Sequence, residues 1–208
     1  MKIAVVGSTG RTGRQVVRAL QENGHHVVAV VRDPGRAGDL GADALAVADA
    51  LDQEALTAAM AGLGAVVSCV GPVPGEDKGV QAAASEVLVR AAAAAGIRRC
   101  LVVSASGWLV DGDDPMSRYL AKPILARVLR EENAAFARTE EVVRGSRLDW
   151  TIVRPPMLRD GRARGSYHQR RDGNVRWRYS IRRADLARAV RDLLGDPTAV
   201  RAVVSVAG

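Results

Sequence analysis

Seven residues near the start of the chain, Gly7-Ser8-Thr9-Gly10-Arg11-Thr12-Gly13, stand directly after an apolar run, Ile3 to Val6, and directly before a helix-length amphipathic stretch. Glycines at this spacing, in that setting, do three things. They allow a tight turn, let the backbone approach a diphosphate, and permit close helix–sheet packing, while the free N–H groups of the helix face the anion. A glycine pattern alone is a weak signal and could be a turn with no ligand; its place between strand and helix is what points to dinucleotide binding. Gly7, Thr9, Gly10, Arg11, Thr12 and Gly13 are therefore the first candidate cofactor-binding residues.

The end of the second apolar run, Val27 to Val31, selects the dinucleotide. An acidic residue there bonds the ribose 2′-hydroxyl of NAD, whereas a cation accommodates the extra phosphate of NADP. Arg32 occupies that position, with Arg36 close behind and Arg11 in the turn, and guanidinium groups suit a doubly charged phosphate. NADP(H) is the expected cofactor. Asp33 keeps NAD open, should its carboxylate rather than Arg32 face the ribose, and a solvated Arg32 is the bland alternative.

Other chemistries lack their residues. His25, His26 and His168 are the only histidines and no carboxylates cluster around them, so zinc-ligand spacing is missing. Cys69 and Cys100 read as small buried residues rather than a disulfide or redox pair, which suits a reducing cytoplasm. Between Arg154 and Arg191 stand twelve arginines and three aspartates, an excess larger than the +7 of the whole chain. A solvated basic face and help with an anionic small molecule both fit. With 3% aromatic residues and no recognition motif, nucleic acid is not an expected partner.

The elements that would carry these residues follow from the patterning. A length of 208 residues suits one sizeable core, so a single domain over 1–208 is expected. No apolar run approaches the ~20 residues that cross a bilayer, and the first residues lack the features of a signal peptide, so no membrane role is expected. Short β-rich runs alternate with helix-length segments: strands at 3–6, 27–31, 44–48, 65–70, 100–103, 150–153 and 202–206, helices at 14–22, 53–61, 80–95 and 184–194. Residues 116–146 read as helical with a break at Pro123, and 165–179 as two extended stretches around the turn signal Asp172-Gly173. The β-then-α order predicts an α/β fold, a Rossmann-type doubly wound parallel sheet with a small C-terminal segment on the substrate side.

On the residues Val5 to Gly13, on Val31-Arg32-Asp33 with Arg36, on Asp49, and on Leu148-Asp149-Trp150-Thr151-Ile152-Val153-Arg154-Pro155-Pro156, the chain resembles the atypical short-chain dehydrogenase/reductases, in the NAD(P)H-binding branch that holds flavin reductase/biliverdin reductase B and the NmrA-like regulators. The resemblance implies that Asp49 and Ala50 lie beside the adenine, that Val70 and Gly71 flank the pyrophosphate and ribose, and that Ser104 with Pro155 and Pro156 lines the nicotinamide side. It also places Ser106 where a serine faces the nicotinamide and the substrate carbonyl, although a strand-end cap would explain that serine equally. Tyr119 is the second catalytic candidate, yet the Tyr-x-x-x-Lys pair of the wider superfamily fails here, because Lys122 comes three residues on and precedes Pro123. Met157 stands where flavin reductase carries a histidine, so that enzyme's detailed mechanism does not transfer.

Two classes of function remain open. One is an NADPH-dependent reductase passing hydride to a small acceptor such as a flavin, quinone or ketone, aromatic or carbonyl-bearing and anionic in character. The other is a non-catalytic NADP(H)-binding regulator. Trp108, Trp177 and Tyr179 could stack on such an acceptor or simply pack beneath the loops. Chain length favours the enzyme. The acceptor's identity and the oligomeric state are not legible in the residues.

Overall fold

The computed structural model describes residues 1–71, 79–106 and 130–208. Strand β1 (Lys2–Val6) leads through the glycine turn into helix α1 (Arg11–Glu22), then β2 (His26–Val31), β3 (Ala44–Val47), α2 (Gln53–Met60), β4 (Ala65–Ser68), α3 (Val80–Ala94) and β5 (Arg99–Val103). Helix α4 (Arg130–Gly145) precedes β6 (Asp149–Arg154), followed by β7 (Met157–Arg159), β8 (His168–Arg171), β9 (Ser180–Arg182), α5 (Arg183–Gly195) and β10 (Ala202–Ala207).

Eight strands form one sheet in the order β3-β2-β1-β4-β5-β6-β10-β8, parallel except for β8, which runs antiparallel to β10. From β1 the chain winds outward through β2 and β3, then crosses back to place β4 on the other side of β1. That reversal makes the doubly wound, Rossmann-type architecture, and it opens a crevice at the carboxyl ends of β1 and β4, the switch point where such sheets take ligands.

Because side chains alternate across a strand, each strand feeds two cores. Ile3, Val5, Val67, Leu101 and Val153 pack on one face with Val16, Val17 and Leu20 of α1 and Leu186, Val190 and Leu193 of α5. Ala4, Val66, Val102 and Ile152 pack on the other with Leu56, Leu88, Ala91 and Val143 of α2, α3 and α4. Covering both faces is what lets the central strands be continuously apolar.

The local stops follow side-chain chemistry. Asp52 caps α2 as its position predicts, its Oδ1 accepting the Ala55 N–H at 3.0 Å, and Gly24 and Gly96 take positive φ just beyond α1 and α3. Residues 165–179 depart from the expected pairing. Asp172 does turn the chain (φ 51), but β8 pairs with β10, and β9 pairs in parallel with β7 rather than with β8. The open edge of β10, apolar along Val203 to Val206, supplies the partner that the turn signal alone would not indicate.

Candidate active site

The crevice at the switch point is a cavity of about 760 Å³. At one end it is walled by Arg32, Asp33, Arg36, Asp49 and Leu51, in the middle by the glycine turn and Cys69 to Gly71, and at the other end by Val103, Ser104, Phe136, Leu158 and Arg183.

The glycine turn is built for close approach. Gly7 has φ +75, and a Cβ there would stand 2.9 Å from the backbone of Cys69 and Val70; at Gly13 a Cβ would meet the Gly7 carbonyl oxygen at 2.2 Å. Gly10 caps α1 without a side-chain hydrogen bond, which leaves the first-turn N–H groups to a ligand rather than to the protein. Ser8 turns away and donates its hydroxyl to the Val30 carbonyl at 2.9 Å, tying the turn to β2. Arg14 braces it from behind, donating to the carbonyls of Thr9 and Arg36 and pairing with Asp39, each at 3.2 Å.

Asp33 is engaged locally. Its Oδ1 accepts the Gly35 N–H at 2.9 Å and caps the short turn Pro34–Arg36, which carries Arg36. Arg32 and Arg36 are both exposed on the cavity wall. Arg11, expected to join them, instead pairs with Asp160. Asp49 accepts the Leu51 N–H at 2.8 Å, so its carboxylate shapes the turn that presents Leu51 to the cavity.

Ser104 follows β5 and is 4% exposed. Its hydroxyl donates to Glu140 Oε1 at 2.8 Å, and the same carboxylate takes Arg154 Nε at 2.7 Å and a second, short bond from Arg154 Nη2. Both charged groups are buried, and Arg144 approaches the Glu140 carboxylate from α4 at 3.5 Å. A hydroxyl whose hydrogen is committed to a carboxylate presents only lone pairs, so Ser104 can accept a bond within the cavity but has no proton to give.

Twelve of the expected cofactor-binding residues line the cavity: Gly7, Thr9, Gly10, Arg11, Thr12, Arg32, Arg36, Asp49, Ala50, Val70, Gly71 and Ser104. Gly13 stands behind the turn, where its hydrogen admits the Gly7 carbonyl. Pro155 is buried and accepts the Ser106 N–H at 2.8 Å, so these two residues fasten the end of β5 to the segment after β6. Ser106 is 9% exposed. Tyr119, Lys122 and Trp108 lie outside the described residues. Trp177 and Tyr179 are 63% and 50% exposed, so packing beneath loops does not account for them.

Sequence reasoning missed Arg14, Glu140, Asp160 and Arg183. Each acts through a partner distant in the chain, and only the helical spacing of α4 hinted that Glu140 faces inward. Burial pushes the Cys69 and Cys100 thiols up to about 12, which keeps both protonated at neutral pH.

A family model described as NAD(P)H-binding matches residues 7–197. An uncharacterized protein of Bacillus subtilis, YwnB, is 25% identical over 203 residues, 95% of this chain and 93% of that one. An NAD(P)H azoreductase of Xenophilus azovorans is 30% identical over 155 residues, 74% of this chain but 47% of the azoreductase, so the chain corresponds to about half of that enzyme. Among solved structures, ChuY, an anaerobillin reductase of Escherichia coli O157:H7, superposes with a TM-score of 0.81 at 22% identity, covering 100% of this chain and 97% of that one. That likeness is one of fold. Matched from the first glycine of its turn to the residues after α5, the chain belongs to this NAD(P)H-binding family.

Proposed function

We propose that the protein is a cytoplasmic, single-domain NADPH-dependent reductase that passes hydride to a small flat acceptor: a flavin, quinone, azo compound or aromatic ketone. The observation that carries the cofactor half is the arrangement after β2, where Arg32 and Arg36 stand exposed on the cavity wall while Asp33 spends an oxygen on the Gly35 N–H. Two guanidiniums on this wall, beside a carboxylate with one oxygen already bonded, favour a 2′-phosphate over a free 2′-hydroxyl. The names of the azoreductase and the anaerobillin reductase support reduction as the activity.

In this reading the first-turn N–H groups of α1 hold the diphosphate, Asp49, Ala50 and Leu51 border the adenine, and Val70 and Gly71 border the ribose. Ser104 and Pro155 stand on the nicotinamide side. When bound, NADPH supplies the hydride. The chain's own residues bind, orient and exclude water. Ser104, held by Glu140, accepts a hydrogen bond from an amide N–H in the cavity. Ser106, fixed through Pro155, hydrogen-bonds the acceptor's reducible oxygen or nitrogen, and Tyr119 is the second candidate for that task.

The test is NADPH oxidation followed by absorbance against FMN, riboflavin, quinones, azo dyes and aromatic ketones, after NADPH binding has been measured. Turnover with any of them supports the reductase. Tight NADPH binding with no turnover across the panel overturns it in favour of a cofactor-sensing regulator. Arg32→Asp is expected to weaken NADPH by about tenfold or more, the scale of a lost charge-assisted bond, and to spare NADH. Equal weakening of both cofactors removes Arg32 from phosphate recognition.

A further inference from the structure

The cavity end opposite Arg32 holds a second group of charges. Register pairs Arg159 of β7 with Arg182 of β9, so the next residue on each, Asp160 and Arg183, meet beside the cavity that Arg183 lines. Arg183 Nη1 donates to Asp160 Oδ1 at 2.7 Å, while the other carboxylate oxygen pairs with Arg11 of the glycine turn. One carboxylate thus bridges two guanidiniums that both line the cavity, one from the start of α1 and one from the start of α5.

The two partners of this bridge are unequal. The Arg183 side chain is 15% exposed and fixed at the first position of a 13-residue helix, whereas Asp160 is 56% exposed. A cation at a helix N-terminus works against the helix dipole, and burial draws its pKa below the ordinary arginine value. Packing alone would not favour a guanidinium there; an anion does. Leu158 shares this end of the cavity and offers an apolar wall, and Ser104 closes it at the end of β5. The anion could in principle be the cofactor's diphosphate. That group is already served by the N–H groups of the α1 terminus, whereas Arg183 opens the neighbouring helix α5, directly after β9 of the separate β7-β9 sheet, and NADPH affinity in an Arg183 variant separates the two anions.

We propose that Arg183, assisted by Arg11, binds a carboxylate of the acceptor, and that Asp160 is the internal carboxylate which the acceptor displaces. The acceptor is then a flat aromatic acid, its ring against Leu158 and its carboxylate on Arg183. This rests on the reductase reading for the word acceptor, but the binding of the anion is measurable without turnover.

The experiment compares 4-phenylazobenzoate with 4-phenylazobenzamide, titrated by absorbance into protein saturated with NADP+. The wild type is expected to bind the carboxylate about tenfold tighter than the amide, as one charge-assisted bond implies. Arg183→Gln is expected to abolish that preference while leaving NADPH affinity within about twofold. Asp160→Asn is expected to tighten carboxylate binding, because it removes the internal competitor; a merely structural role for Asp160 would loosen it. Should Arg183→Gln fail to fold, Asp160→Asn decides alone.

Equal binding of the two probes by the wild type, binding of neither, or a carboxylate preference that survives Arg183→Gln overturns the proposal. So does a tenfold loss of NADPH affinity in Arg183→Gln, which would assign the site to the diphosphate. Carboxylate preference with no hydride transfer from NADPH leaves the anion site standing and removes the reductase reading instead.

Discussion

Burying Glu140 takes a carboxylate out of water, and the two bonds from Arg154 and one from Ser104 are what make that tolerable. Removing one partner strands the other. Arg154→Met is therefore expected to cost about 3–5 kcal/mol in denaturant unfolding, while Arg154→Met combined with Glu140→Met recovers most of the loss. A single variant as stable as the wild type would show that the pair contributes nothing. Ser104→Ala leaves both charges paired but removes a cavity acceptor together with one of the three bonds to Glu140, so it is expected to weaken cofactor binding and to cost about 1.5–3 kcal/mol of stability, less than Arg154→Met. Gly13→Ala leaves no room for the Gly7 carbonyl and is expected to abolish cofactor binding by calorimetry. Gly7, Gly10, Arg32 and Asp49 were legible as cavity residues because each lies within a few positions of a recognisable turn. Glu140, Asp160 and Arg183 were not, since an isolated acid or arginine in a charged chain gives no sign of a partner that only folding brings near. Arg11 misled for the same reason: its place in the turn was readable, its pairing with Asp160 was not.

At the scale of elements, the backbone of the arginine-rich segment after β7 is fastened from inside by a buried carboxylate, beside the outer bonds that Arg182 and Arg183 make to Arg162 and Asp160. Asp185, in the first turn of α5, accepts the N–H groups of Arg164 and Gly165 at 2.9–3.0 Å. The segment that presents Asp160 to the cavity is thereby fastened to the helix that presents Arg183. Asp185→Ala is expected to release it. Trypsin should then cut among Arg159, Arg162 and Arg164 roughly tenfold faster, as loss of a charge-assisted bond implies. An unchanged rate would mean the segment is held by other contacts. The central strands and their helices were readable from periodicity, because burial on both faces or on one stripe leaves a period in the sequence. Among the short strands, β8 falls in the extended stretch expected before Asp172-Gly173, though its partner β10 was not readable, and β7 and β9, three residues each, are too short to carry a period.

For the molecule as a whole, acid stability has identifiable sources at the sheet's margins. The Val27 N–H bond holds the Asp43 carboxyl below its ordinary value of 3.8, and bonds from Thr198 do the same for Asp196. Depressed in the folded state, both groups contribute stability that is fully present above about pH 4 and lost as pH falls through their folded values. Asp43→Asn with Asp196→Asn is expected to flatten the fall of the unfolding midpoint below pH 4, and an unchanged slope would place the acid sensitivity elsewhere. At the opposite pole of the sheet from the cavity, Arg99 donates to the carbonyls of Leu193 and Leu194, which end α5, and to that of Asp149. A cation is at home there, at the negative end of the helix. Helix α5 is thus anchored about 16 Å from the residue it offers to the acceptor, given 1.5 Å of rise for each residue between Arg183 and Leu193–Leu194. Variation at Arg183 and its neighbours leaves that anchor untouched, so descendants of this chain can exchange one acceptor for another without first acquiring a new way to stay folded.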